Sequence, residues 1–594
     1  MRRLFEAGRR LPAGLTLLLL LVAAAPATAF QFTLGEVEGS LDTTVSYGLS
    51  YRTAERDRDI VGIANGGRAY SVNGDDGNLN YDDADYFSKV FKITSDLELK
   101  YQNFGLFLRG SAFHDFVNSG GDGGERTEIT DGDALDLIGE DAKLLDAYLW
   151  WDFEVGGMPG TMRFGDHVLS WGESTFIQNG INIINPVDVS MLRLPGSELK
   201  EALIPVGMVS ASLALNENVS LEGFYQYDWE KTAVDPVGSY WSVSDLVGDG
   251  ATKVMLGFGG IPDTIPVGAP VNVPVGVAVP RGTTVNADND GQYGLALHLL
   301  APDLNNTEFG LYFINYHSRL PVISARTGTL AGVGGGNYAA SAAYFTEYPE
   351  DIKLYGLSFN TQFDATGIAL QGEYSYRQDA PLQIDDVEIL FAALSPINAP
   401  LGLFGQLGPY GFNQQIQGYE EMDISQAQMT ATKTFGPTFG ADQFTLVGEA
   451  GLTHVHNMPS KDKMRFESAG TYISGNRRLA GAHAPTAVGQ YEDSSAFADA
   501  TSWGYRAVVK LDFNNAIGAV SLSPRIAWAH DVDGNSPSPG GNFLEHRKAI
   551  TYGIGADYQN SWSADLSYTD FFGAGRYNLI NDRDFISFNV KYSF

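Results

Sequence analysis

Apolar and polar residues alternate one for one along this chain, in segments of about ten, and that period decides what the chain can fold into. Successive strand residues point to opposite faces, so each segment has one face for oil and one for water. Val37, Leu41, Val45, Tyr47, Leu49 and Tyr51 alternate with Asp42, Thr44, Ser46, Gly48, Ser50 and Arg52. Leu221 to Tyr227, Ile368 to Tyr376, Phe444 to Leu452 and Tyr505 to Phe513 repeat the pattern. The last residues keep it too: Ile586, Phe588, Val590, Tyr592 and Phe594 stand against Ser587, Asn589, Lys591 and Ser593. Such segments match a tilted membrane-crossing strand of roughly 9–11 residues and exceed the ~5–6 of an ordinary globular strand.

Past the first residues, no stretch approaches the ~18 consecutive apolar residues of a spanning helix. Strands in lipid must then close into a barrel, the other structure that leaves no backbone group unpaired there. Arg2, Arg3, Arg9 and Arg10, the apolar run Leu15 to Ala25 and the small-residue site Ala27-Thr28-Ala29 predict a secretory signal peptide over 1–29. Cys is absent, which excludes disulfides, cysteine-ligated zinc and a thiol nucleophile. A formal net charge of −33 argues against nucleic acid as a partner.

Turn residues order the segments. Short turns at 102–103, 156–160, 216–218, 301–306, 364–366, 436–441, 514–515 and 560–561 alternate with long stretches at 54–85, 117–143, 172–206, 231–290, 320–350, 379–423, 457–501, 532–547 and 572–582. The alternation predicts an all-β fold: one transmembrane antiparallel β-barrel domain over 30–594 with about 18 strands (roughly 16 to 18). Short turns belong to a periplasmic rim and long loops to a cell surface. The expected location is therefore the outer membrane of a Gram-negative cell, among its lipid and lipopolysaccharide.

A barrel of this width holds water unless something fills it. Its inward faces mix Asp42, Glu98, Glu222, Glu373, Glu449 and Asp512 with Lys92, Arg109, Arg377, Arg506, Lys510, Arg525 and Lys591, as a selective pore or a stiffening ion-pair lattice would. Phe107, Phe113 and Phe224 are expected on inward positions that suit greasy cargo. Trp171 to Val206 breaks the two-residue period, contains Pro186, Pro195 and Pro205, and places Ser197 to cap a short helix in SELKEAL. Trp171, Phe176, Ile177, Ile181, Ile184 and Leu192 would line a hydrophobic constriction if this insert folds inward, or a packed cap if it folds outward. In LQIDDVEILFAAL, 382–394, Asp385 can cap a lid helix whose Val387, Leu390, Phe391 and Leu394 share a face.

The acidic run at 73–85 offers Asp75, Asp76, Asn78, Asn80 and Asp82 as oxygen donors for a structural Ca2+ in the outer loops. It departs from the helix-loop-helix calcium pattern, because Tyr81 stands where Gly is required and no Glu closes the loop. A solvated array of Asx turns is the alternative. Neither G-x-S-x-G nor H-E-x-x-H occurs, and no catalytic residue, enzymatic activity or cofactor is expected.

Seven stretches resemble a proteobacterial outer-membrane family known as the domain of unknown function numbered thirteen hundred and two. They are DDGNLNYDDAD (75–85), WGESTFIQNGINIINPVD (171–188), LRLPGSELKEALIPVGMV (192–209), YHSRLP (316–321), YPEDIKLYGLSFNT (348–361), APLQIDDVEIL (380–390) and NDRDFISFNVKYSF (581–594). The resemblance implies a channel passing hydrophobic or amphipathic, lipid-like small molecules. It also implies a soluble periplasmic carrier and an inner-membrane transporter of the resistance-nodulation-division type as partners. The stretch 231–290 matches least. Two rival readings are a structural or adhesive barrel with cation-binding acidic loops, and a barrel hydrolase assembled from separate strands. Phe588, Val590, Tyr592 and Phe594 resemble the terminal signal read by the barrel-assembly machinery. Phe594→Ala is expected to lower the amount of heat-modifiable barrel in outer membranes, and normal levels would refute that role.

Overall fold

The computed structural model describes residues 30–120, 129–269, 276–483 and 486–594. The expected signal peptide at 1–29 lies outside them. Eighteen strands carry the alternating segments. They are β1 Val37–Arg52, β2 Tyr86–Tyr101, β3 Phe104–Asp115, β4 Glu140–Val155, β5 Met158–His167 and β6 Val206–Asn216. Next come β7 Val219–Gln226, β8 Gln292–Ala301, β9 Thr307–Tyr316, β10 Ile352–Phe363, β11 Ile368–Gln383 and β12 Tyr419–Phe435. The last six are β13 Gln443–Val455, β14 Thr501–Ile517, β15 Val520–Asp533, β16 Lys548–Tyr558, β17 Trp562–Phe572 and β18 Phe585–Ser593. Each pairs antiparallel with the next, and β18 closes on β1 from Thr44↔Ser593 to Arg52↔Phe585. Phe594 exchanges both backbone bonds with Thr43, at 2.9 and 2.8 Å. A short strand, Phe30–Leu34, folds back on the first residues of β1 and continues the line of β18 along the same edge.

Closure leaves the alternation to sort the faces. Leu149, Leu295, Tyr552 and Leu566 project outward and stay exposed, whereas Ser46, Ser50, Ser111 and Ser375 are buried inside. An apolar outer band around a polar interior is the pattern of a transmembrane barrel. No described helix is long and apolar enough to cross a membrane.

The segment AYLWWDF, apolar on both faces, sits in β4 for a local reason. Leu149 and Trp151 face outward, while Tyr148 turns inward against Phe107, ring centroids 5.4 Å apart. Trp150 covers Gly105, where an added Cβ would meet the indole at 2.1 Å.

Two boundaries differ from the sequence expectation. The turn expected at 514–515 lies at 518–519, because β14 runs on to Ile517 and the register slips between Phe513 and Ile517. The Asn514 and Asn515 N–H groups donate to Asp442 (2.7 Å) and Ser521 (3.2 Å), so the strand continues irregularly until Gly518, φ +63°, reverses it. The lid helix expected at 382–394 spans Asp386–Asn398. Leu382 and Gln383 continue β11 by pairing with Glu420 and Tyr419, so the helix starts only after Asp385.

The long loops build a cap of their own. It contains a two-stranded ribbon, Lys253–Met255 with Ala278–Pro280, and a three-stranded sheet of Val322–Arg326, Ala343–Glu347 and Gln415–Ile416.

Candidate functional site

The insert after β5 folds into the barrel. Two carboxylates on the inner wall hold it by its backbone. Glu373 of β11 accepts the N–H groups of Glu173 (2.5 Å) and Ile181 (2.9 Å), and the Gln428 amide at 2.9 Å. Glu449 of β13 accepts the N–H groups of Thr175, Phe176 and Ile177 at 2.9, 2.6 and 2.7 Å, with the Thr430 hydroxyl at 3.2 Å. A loop with few internal bonds needs acceptors for its N–H groups, and an ionised carboxylate is the strongest acceptor a wall can offer. Further anchors follow: the Trp171 indole donates to Glu222 at 2.9 Å, Gln226 and Arg319 donate to the Ile184 carbonyl, and Gln426 donates to that of Gln178.

Apolar packing adds to these bonds. Trp171, Ile181 and Ile184 are buried in one cluster with Phe224, Tyr312, Ile314 and Leu354 from the inner faces of β7, β9 and β10. The Trp171 and Phe224 rings meet edge-on at 5.2 Å. Ile177 presses on Gly451, where a Cβ would sit 2.8 Å from it.

The second half of the insert crosses to the opposite wall through two short helices, Val189–Arg193 and Leu199–Ala202. Asp188 caps the first by accepting the Met191 N–H at 2.8 Å. Ser197 does not cap the second. Glu198 takes that place, with its N–H bonded to Glu201 at 2.8 Å, because the Ser197 hydroxyl is engaged by Lys92 at 3.1 Å. Lys92 also pairs with Glu201, Lys143 with Asp188 at 3.0 Å, and Lys591 with Glu198 at 3.0 Å. Pro195 lies against β1 so closely that a Cβ on Gly48 would meet it at 2.8 Å.

The plug is tied to both walls, and a cavity remains beside its second half. A passage of about 780 Å³ runs between residues 192–197 and the inner faces of β16, β17 and β18. Trp241, Phe571 and Phe585 line its long-loop end, and Asp557, Ser563 and Lys591 its short-turn end. Thr551, Ser567 and Thr569 line it between.

Above the barrel, the lid helix forms a wall of a narrow cavity of about 90 Å³. Val387, Ile389, Leu390 and Ala393 face Leu256, Val279 and Tyr344 across it. Burial pushes the Tyr344 phenol up to about 12, so it presents a neutral hydroxyl. At the helix start, Asp385, Asp386 and Glu467 converge. Burial raises all three carboxyl pKa values, Asp386 to about 6, and acidic neighbours raise Asp385 and Glu467 further.

The expected site residues sort accordingly. Trp171, Ile177, Ile181 and Ile184 do not line the open passage; they are sealed against the wall, because the loop's apolar side chains find a complementary apolar wall there. Phe176 and Leu192 remain exposed, and Leu192 lines the passage. Phe224 and Phe113 are covered by the plug rather than offered to cargo, and Phe107 lies under Arg109 at 5.3 Å. Among the lumen charges, Arg109 bridges Asp96 and Asp146 at 2.8 and 3.1 Å, and Arg525 pairs with Asp565 at 2.5 Å. Arg377 lies against Tyr316, and Asp42 and Glu98 stand exposed near the short turns.

The five expected calcium donors do not converge. Asn78 donates to Asp582 at 2.9 and 2.8 Å, Asn80 donates to the Gly238 carbonyl at 2.8 Å, and Asp82 pairs with Arg56 at 3.1 Å. Residues 76–80 form a helical turn, which sends their side chains in different directions. Asp75 and Asp76 instead meet Asp245. Asp245 and Glu467 were invisible as partners because each joins its cluster from a distant loop.

A closed eighteen-strand barrel with a carboxylate-pinned plug and a lidded cap is a plugged transmembrane barrel. The chain belongs to the family described as "Protein of unknown function (DUF1302)", whose model matches residues 10–594. No curated protein matches it. Solved structures similar to it include OccAB3 of Acinetobacter baumannii, 10% identical, covering 94% of this chain and 99% of that one with a TM-score of 0.41. A BenF-like porin from Pseudomonas fluorescens Pf-5 is 10% identical over 94% and 98% of the two chains, with a TM-score of 0.39. Pseudomonas aeruginosa OccK2 (OpdF) in complex with glucuronate is 9% identical over 94% and 97%, with a TM-score of 0.38.

Proposed function

We propose that this protein is an outer-membrane channel that admits hydrophobic or amphipathic small molecules from the cell surface to the periplasm. The observation that carries the reading is the apolar cavity under the lid helix, standing above a lumen whose remaining passage begins with Trp241, Phe571 and Phe585. An apolar solute leaves water for the cavity, because burying its surface is favourable by roughly 25 cal/mol per Å². It then moves along the aromatic end of the passage and is released past the small and polar residues beside β16–β18. Nothing in this path consumes energy, so direction comes from removal of the solute at the periplasmic end. A soluble carrier and an inner-membrane transporter of the resistance-nodulation-division type would perform that removal.

Uptake by reconstituted vesicles separates this reading from its rivals. Native barrel is expected to raise entry of a labelled long-chain or sterol-like solute, and Leu390→Glu to cut it several-fold while small-ion conductance stays unchanged, because a carboxylate in the cavity repels apolar solute. Equal uptake with and without the barrel would overturn the proposal in favour of a structural or adhesive role.

A further inference from the structure

We infer that Asp385, Asp386 and Glu467 form a binding site for a calcium-class divalent cation, which fastens the lid helix to the loop 456–500. Their carboxylate oxygens lie within 4.8 Å of one another. That is about the widest spacing two ligands can have across an ion bound ~2.4 Å from each, and an all-oxygen donor set suits calcium.

The orientation of Asp385 points independently to a ligand. Asp385 is the N-cap of the lid helix, where an aspartate normally accepts a helix N–H. Asp131 and Asp188 do this at their own helices in the same chain. The Asp385 carboxylate makes no well-formed cap bond; it is fully buried, and among the described residues only the Val387 N–H and the Glu467 carboxyl lie near enough to act on it as hydrogen-bonding neighbours. The residue is fixed by its backbone instead, donating to the Arg465 carbonyl at 3.0 Å and accepting from Glu388 at 3.0 Å. One oxygen of Asp386 likewise has no well-formed hydrogen bond among the described residues.

Among the described residues, no cation pairs with the cluster. Arg465 directs its guanidinium to Glu388 at 3.3 Å and the Gly475 carbonyl at 3.3 Å. Glu467 accepts the Asp386 N–H at 2.9 Å and the Thr471 hydroxyl at 2.8 Å, which aim its carboxylate without neutralising it. Buried charges need a partner or a metal. Asp386 and Thr471 also line the lidded cavity, so the cluster borders that space. A cation here would join residues 81 positions apart and clamp the start of the lid helix whatever the channel carries.

The test uses the full-length folded barrel in detergent after chelation. Tb3+ luminescence, sensitised by Tyr472 in the same cavity, is expected to appear and to be displaced by Ca2+. Ca2+ is also expected to protect residues 384–418 from limited proteolysis. Asp385→Asn with Glu467→Gln should weaken Ca2+ binding by more than ~100-fold, since even supporting shells are worth 10–100-fold. Asp245→Asn, at the other acidic cluster, should leave the signal and the protection in place. The proposal is overturned if native barrel shows neither signal nor Ca2+-dependent protection. It is equally overturned if the heat-modifiable double variant binds like the native protein, or if the signal follows Asp245→Asn.

Discussion

A barrel with both Glu373→Ala and Glu449→Ala is expected to conduct ions several-fold better than the native one in planar bilayers. Together these carboxylates accept five backbone N–H bonds from residues 173–181. Hydrogen bonds to a charged group are each worth about 1.5–3 kcal/mol, and removing the acceptors strands N–H groups with no substitute nearby. The apolar cluster around Trp171 and the bonds from Glu222, Gln226, Arg319 and Gln426 then hold the first half of the plug without these two carboxylates. That cluster fixes the side of the loop facing β7 to β10 but not the stretch 173–177 beneath β13, so the lumen widens there. Glu373→Gln should fall between, because an amide oxygen still accepts but without charge. Native conductance in the double variant would show that packing and the remaining anchors hold the plug without the two carboxylates.

Part of the lumen wall carries cross-strand ion pairs, which either a selective pore or a stiffening lattice can have. Arg109 and Arg525 are paired across strands, as alternating inward charges foretell. Glu222, Glu373 and Glu449 look identical in sequence, yet they bind the insert. A carboxylate on an inward position reads the same whether its partner is an arginine on the next strand or a backbone amide some 200 positions away, as between Glu173 and Glu373. Strand count and closure were legible because the two-residue period is local and the turns between short-end strands are short. The fate of the insert was half legible. Its broken period marked it as non-strand, but which apolar residues face wall and which face passage depends on the complementary surface of β7 to β10. The lid helix slipped by four residues for a similar reason: Leu382 and Gln383 suit either element, and pairing with β12 decided.

The acidic run DDGNLNYDDAD shows the limit most directly, and it carries the second large prediction. Composition suggested that its Asx residues hold a cation, but the positive charge nearby comes from Arg56, paired with Asp82, and from Arg52 and Arg583, both with 0% exposure. Asp582 joins them: it accepts from Arg52 at 2.9 Å, Arg583 at 3.2 Å and Asn78 at 2.9 Å, and takes the Asp57 N–H at 3.1 Å. The other hydrogen bonds of both guanidiniums go to neutral oxygens, such as the carbonyls of Tyr81 and Ser242. Asp582→Ala therefore leaves two buried cations without the carboxylate they touch, and breaking a buried pair by removing one partner costs about 3–5 kcal/mol. Arg52 ends β1 at the register position opposite Phe585, so the cost falls on the seam where the barrel closes and on the loop 53–85 packed over it. The expected result is a marked fall in the temperature at which the heat-modifiable form unfolds, with early proteolysis of that loop. Asp582→Asn, which keeps an acceptor but loses the charge, should be milder. An unchanged unfolding temperature for the alanine variant would mean that water reaches the guanidiniums and hydrates them, and the seam would then owe its stability to its backbone ladder alone.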